Sequence, residues 1–114
     1  MLGLKELSFL DMSSNYFGGM QLPNFLDSMK SLTYLNFSYA GFSGSIPHQI
    51  GNISGLLHLD LRGNDFIGKI PHQIGNLSNL LYLRLSGGYQ HGMDEISLYV
   101  ENIQWISSLS LLLH

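Results

Sequence analysis

Residues 56–77 read LLHLDLRGNDFIGKIPHQIGNL, and part of that stretch occurs twice: IPHQIGN spans both Ile46–Asn52 and Ile70–Asn76, a shift of 24 residues. The shift aligns far more than the heptapeptide. From Leu32, apolar residues fall at Leu32, Leu35, Phe37, Phe42, Ile46, Ile50 and Ile53; from Leu56 they fall at Leu56, Leu59, Leu61, Phe66, Ile70, Ile74 and Leu77. An earlier copy carries Leu7, Leu10, Met12 and Phe17, with one extra residue in GGMQLP. A later copy opens with Leu80, Leu83 and Leu85, loses the pattern across an insertion at about 89–102, and recovers it at Ile106 and Leu109. The whole chain, 1–114, thus reads as one repeat domain with units 7–31, 32–55, 56–79 and 80–111, and a fifth opening at 112–114.

The spacing sets the geometry. In the LxL segment side chains alternate faces, so Leu59 and Leu61 point inward while His58, Asp60 and Arg62 point outward, as a short strand requires. One such coil cannot bury its leucines alone. Stacking the coils pairs their strands side by side, about 4.8 Å apart, and encloses a continuous apolar column. Proline and glycine in the GxIPxxIG part disfavour a long helix there. Asn15 and Asn64 occupy a slot where an inward side chain bonds backbone groups of neighbouring coils, but Ala40 and Gly88 stand in the equivalent slots. That ladder is expected to break at those two positions, with water or altered backbone serving instead. Phe17, Phe42 and Phe66 are expected to stack in a column that ends at Gln90.

Composition narrows the function. Apolar residues make up 45% of the chain and charged residues 11%, which excludes a solvated disordered tail. A net charge of −3 and five scattered Lys and Arg supply no basic field for nucleic acid. With no cysteine, no disulfide framework or thiolate metal site is available. The start, Met1 to Leu4 running into Lys5 and Glu6, does not resemble a secretory signal, so none is expected in this stretch, and no apolar run approaches the roughly 20 residues that span a bilayer.

The pattern LxxLxLxxNxFxGxIPxxIGNL, cleanest from Leu56 to Leu77, resembles the plant-specific class of leucine-rich repeats. That class occurs in the extracellular parts of receptor-like proteins, receptor-like kinases and polygalacturonase-inhibiting proteins. The fourth unit, ending ENIQWISSLSLL, is most similar to receptor-like proteins. The resemblance implies a leucine-rich-repeat solenoid: a curved right-handed coil with a parallel β-sheet on the concave face and short helical or irregular turns on the convex side. It implies a non-catalytic recognition module of a plant cell-surface receptor, at the plasma membrane or outside the cell, acting in defence or development. Expected partners are a protein, peptide or glycan ligand and a co-receptor, with no cofactor. The alternatives are a secreted enzyme inhibitor of the polygalacturonase-inhibiting type, and a gene fragment without independent function. The chain lacks the cysteine-bearing caps of an intact receptor. Leu4 and Leu7 at one end, and Leu109, Leu111 and Leu112 at the other, are therefore expected to lie open to water, giving low stability or self-association through uncapped ends.

Candidate binding residues are the outward strand positions. Coil by coil, one column reads Phe9, Tyr34, His58 and Tyr82; the next reads Asp11, Asn36, Asp60 and Arg84; a third reads Ser13, Ser38, Arg62 and Ser86. An aromatic column beside a polar one suits a peptide or glycan track, although β-sheets favour aromatics at such positions anyway. Arg62 and Arg84, on adjacent strands, suit a carboxylate, as paired arginines do in some plant peptide-hormone receptors. Against that, Asp60 stands beside Arg84 in its column, which predicts an ion pair between those two. His48 and His72 are copies of one repeat position, and with Gln49 and Gln73 as neighbours they do not make a metal site. His91, Asp94 and Glu95 in the insertion lack an accompanying nucleophile, so no enzyme activity is expected. Asn36, Asn52 and Asn76 each open an N-x-S glycosylation triplet; Asn36, projecting from the concave sheet, is the least suited of the three to carry a glycan.

Overall fold

The computed structural model describes residues 6–67 and 70–85, together with the backbone of Ile96–Tyr99. In chain order its strands are β1 (Phe9–Asp11), β2 (Tyr34–Asn36), β3 (Ser43–Gly44), β4 (His58–Asp60), β5 (Asp65–Phe66), β6 (Tyr82–Leu85) and β7 (Ile96–Tyr99). Three five-residue 3-10 helices alternate with them: η1 (Asn24–Ser28), η2 (His48–Asn52) and η3 (His72–Asn76). Strands β1, β2, β4 and β6 lie side by side, all parallel, one from each repeat. The fold is therefore the leucine-rich-repeat solenoid that the periodicity predicts.

Register follows the repeat without slippage. Leu10 pairs with Leu35, Leu35 with Leu59 and Leu59 with Leu83, so each inward leucine stands over its counterpart. A slip of one residue would turn that whole column into water. Leu35, Leu59 and Leu83 are fully buried, as are Ile50 and Ile74, which the two HQIGN helices turn inward. Pro23, Pro47 and Pro71 precede the three helices in extended backbone, and each helix closes after five residues. Neighbouring coils then approach closely enough to require a glycine. A Cβ on Gly51 would stand 2.5 Å from the Gln73 carbonyl oxygen of the next coil.

A second parallel sheet, β3 with β5, braces the flank beyond the main sheet. Phe17 and Phe42 stack at 4.9 Å, Phe42 then meets Phe37 at a tilt, and Phe66 is fully buried. The expected break in the asparagine ladder has a specific remedy. Where Asn64 Oδ1 accepts from Phe42 N–H, the backbone carbonyl of Ala40 accepts from the equivalent Phe17 N–H at 2.9 Å.

One strand departs from the parallel repeat. The pattern-free insertion contributes β7, which pairs with β6 in the antiparallel sense, Tyr82 opposite Tyr99 and Leu85 opposite Ile96. The physical reason is that an antiparallel neighbour needs only a turn back onto the edge of the sheet, whereas a parallel one needs a crossover through another full coil. On the upstream side, Leu7, Leu10, Met12, Phe17, Met20 and Leu26 line an open apolar cavity of about 280 Å³, and Leu7 is only partly buried. The expectations for Leu4, Gly88, Gln90, His91, Asp94, Glu95, Leu109, Leu111, Leu112 and the fifth unit fall outside the described residues.

Candidate functional site

The parallel register carries two of the three outward columns across the sheet; in the third, Ser38 is buried and Ser86 lies outside the described residues. Phe9, Tyr34, His58 and Tyr82 are direct neighbours in successive strands, and so are Asp11, Asn36, Asp60 and Arg84. From β2 onward these are the strand positions that the shift of 24 lines up in the sequence. What the rings do there is a matter of geometry.

The four rings form one continuous stack. Centroids are 4.2 Å apart from Phe9 to Tyr34, from Tyr34 to His58 and from His58 to Tyr82, with interplanar angles of 10°, 17° and 7°. Each inner ring has both faces covered by its neighbours. The column therefore offers ring edges and phenol groups, and the stacking holds them in fixed rotamers.

His58 is the polar member of that stack. Its Nε2 is buried and makes no hydrogen bond. Burial pushes its pKa below the usual histidine value; Asp60 and Asp11 oppose the shift, while Arg62 and Arg84 reinforce it. The imidazole is thus held neutral between two tyrosines.

The polar column departs from expectation. Asp60 does not pair with Arg84. Its two carboxylate oxygens accept from Arg62 Nε and the terminal guanidinium nitrogen at 3.0 Å each, and Oδ1 also accepts from Arg62 N–H at 3.1 Å. Arg62 lies two residues along the same segment, so both its guanidinium and its backbone N–H reach the carboxylate. This hydrogen bonding holds the Arg62 guanidinium even more firmly charged than usual. Arg84 instead lies with its guanidinium carbon 5.5 Å from the centre of the Tyr82 ring.

The same local turn recurs upstream. Asp11 Oδ1 accepts from the Ser13 hydroxyl at 2.6 Å and from Ser13 N–H at 2.9 Å, which lowers the Asp11 pKa. Asn36 Oδ1 accepts from Ser38 N–H at 2.9 Å, and its Nδ2 donates to Tyr34 Oη at 3.4 Å. The concave floor thus runs from a fixed anion at Asp11 to the Arg84 cation. Among the described residues no group of three or more metal-ligating side chains gathers. His48 and His72 are exposed on successive coils.

The glycosylation triplets divide by burial. Asn52 and Asn76 are exposed at the ends of η2 and η3, each with an exposed serine two residues on, Ser54 and Ser78. Asn36 is half-buried with its amide engaged, and Ser38 is buried.

The Leucine Rich Repeat family model matches residues 31–53 and 55–77. Over 49 residues the chain is 49% identical to Receptor-like protein EIX2 of Solanum lycopersicum, a match covering 43% of this chain and 5% of that protein. Receptor-like protein EIX1 of the same plant is 46% identical over 52 residues, again 5% of its length. The chain therefore spans about one twentieth of the curated relatives it matches. Among solved structures it is similar to the ectodomain of the Arabidopsis thaliana membrane receptor kinase GASSHO1/SCHENGEN3, in complex with CASPARIAN STRIP INTEGRITY FACTOR 2. That match has a TM-score of 0.69 and 40% identity, over 72% of this chain and 10% of that one. The Arabidopsis receptor kinase HAESA, in complex with the peptide hormone IDA and the co-receptor SERK1, matches with a TM-score of 0.66 and 36% identity, over 72% and 14%. No helix among the described residues is long and apolar enough to cross a membrane.

Proposed function

We propose that this chain, whose repeats match the Leucine Rich Repeat model over residues 31–53 and 55–77 and are similar to those of plant receptor-like proteins, recognises an extended peptide segment on its concave sheet outside the cell, without catalysis. The supporting observation is the closed ring stack from Phe9 to Tyr82. A sugar ring packs against an open aromatic face, and the inner rings of the stack have none left. An extended peptide needs what remains: rigid edges, phenol groups and a flanking polar column. Three strand spacings of about 4.8 Å separate Asp11 from Arg84, a span that about four extended residues cover.

The charge sequence gives that segment a direction. Arg62 is occupied by Asp60, so Arg84 is the concave cation that meets an acidic side chain or a terminal carboxylate. Asp11 favours a basic group at the other end. Exposed Asn52 and Asn76 are the glycan acceptors in this reading, and both lie on helices away from the concave sheet. A co-receptor and a defence role belong to the same proposal, supported by the likeness to receptor ectodomains.

The test is selection of displayed random decapeptides on the full chain, with binding of the winners measured by calorimetry. The reading expects winners with an acidic residue or free carboxylate whose affinity falls about tenfold or more in Arg84→Ala, and also in Tyr82→Ala. Winners indifferent to both substitutions would contradict it.

A further inference from the structure

The chain uses aromatic rings in a second way, outside the concave stack. Tyr16 and Tyr39 are 83% and 56% exposed. Tyr39 has φ 52, in the left-handed region that a bulky L-residue rarely adopts. The equivalent residue of the next coil is Gly63, with φ 72, which takes that conformation without strain. Ser14 holds the same slot one coil earlier at φ 60, so the left-handed turn belongs to the repeat; what sets Tyr39 apart is a large ring, mostly in water, carried on that turn.

Both rings rest on glycine. A Cβ on Gly63 would stand 2.1, 2.3 and 2.8 Å from Tyr39 Cδ1, Cε1 and Cγ, so that ring lies across the Gly63 backbone. One coil earlier, the Cδ1–Cε1 edge of Tyr16 lies 2.5 and 2.7 Å from the Cβ position of Gly41. Each tyrosine thus leans onto the next coil and is supported by main chain. Arg62, fixed by Asp60, has its guanidinium carbon 5.7 Å from the Tyr39 ring centre. Beside Tyr16, the Asn15 amide nitrogen donates to the Met12 and Ser13 carbonyls at 3.2 Å each, which leaves its Oδ1 as an acceptor.

We propose that Tyr16, Tyr39 and Asn15 form a binding ridge for a neutral pyranose oligosaccharide. The C–H face of a pyranose packs on an exposed aromatic ring while hydroxyls at its rim bond nearby amides and phenols. Rings on a backbone support present that surface without reorganisation. A protein anchor side chain would instead require a pocket in which to bury, and these rings offer a flat one. The cation nearest to hand is already neutralised by Asp60, so nothing here selects for an acidic sugar.

The experiment is an NMR titration of the full chain with cellopentaose, a straight β-linked chain, and in parallel with a branched high-mannose glycan. The expected result is movement of the Tyr16 and Tyr39 ring signals, with Tyr34 and Tyr82 still, at millimolar cellopentaose. If the high-mannose glycan moves the same signals more strongly, the natural source is a protein-linked glycan; if less, a free or wall polysaccharide. Tyr16→Ala should weaken binding about tenfold. Tyr39→Gly separates function from packing: binding should be lost while the thermal midpoint stays level or rises, because glycine relaxes the strained backbone. No response to either glycan, or binding that survives both substitutions, would overturn the proposal.

Discussion

Replacing Asn64 with alanine removes the most densely bonded side chain among the described residues. Its Oδ1 accepts from the backbone N–H groups of Ala40 and Phe42 at 3.1 Å each. Its Nδ2 donates to the carbonyls of Phe37, Leu61 and Arg62 at 2.8, 3.1 and 3.2 Å. Ala40 and Phe42 are buried, so truncation strands two N–H groups away from water. Each stranded group costs about 1–3 kcal/mol. Water entering the small space left behind recovers part of this, which sets the expected loss near 3 kcal/mol. Whole domains hold only about 5–15 kcal/mol, and at a urea slope of about 1.5 kcal/mol per molar the unfolding midpoint should fall by about 2 M. The assay is urea unfolding of the full chain followed by far-ultraviolet circular dichroism. Asn15→Ala is the internal control. Asn15 fills the same repeat slot but is exposed and bonds only within its own coil, so its loss should register within about 0.5 kcal/mol. A wild-type midpoint for Asn64→Ala, or an equal loss at Asn15, would show that the buried Asn64 amide does not tie the coils together.

Gly63→Ala should destabilise the chain by about 2 kcal/mol, because φ is 72 and the new Cβ would meet Tyr39 Cδ1 at 2.1 Å; thermal unfolding reads it directly. For His58 the folded-state pKa lies below the ordinary 6.5, so as pH falls through that value the unfolded chain takes up the proton first. Stability therefore declines with acidification below about pH 6.5, and His58→Phe, which preserves the stack, should flatten the decline between pH 7.5 and pH 5; identical pH profiles would count against the buried neutral imidazole. Secretion from a eukaryotic host followed by peptide mapping should find glycans on Asn52 and Asn76 but not on Asn36, whose amide bonds Tyr34 and whose Ser38 is buried. Occupancy at Asn36 would show that the concave surface is differently arranged.

Much of this architecture is legible in the chain because a repeat states its geometry several times over. The alternation in Leu59-Asp60-Leu61 and its copies assigned the inward leucines, and the columns of outward residues followed from the shift of 24. Features that depend on side-chain conformation were not legible. The column position pointed to Arg84 as the partner of Asp60, yet Arg62 holds it through two side-chain bonds, because the pairing depends on side-chain conformation and not on spacing. Ala40 lacks a bonding side chain, yet its own carbonyl supplies the acceptor. The ring columns could be listed from sequence but not the angles that close the concave faces. Strand β7 escaped notice because Ile-Ser-Leu-Tyr carries no repeat signature and joins the sheet in the opposite direction.

Rings from residues a full coil apart stand face to face along one surface. A nuclear Overhauser spectrum of the full chain tests this most directly. It should show ring-to-ring cross-peaks between Phe9 and Tyr34, Tyr34 and His58, and His58 and Tyr82, and none between Phe9 and Tyr82. Absence of the first three, or cross-peaks only between residues three or four apart in sequence, would contradict the stacked-coil surface and the recognition function built on it.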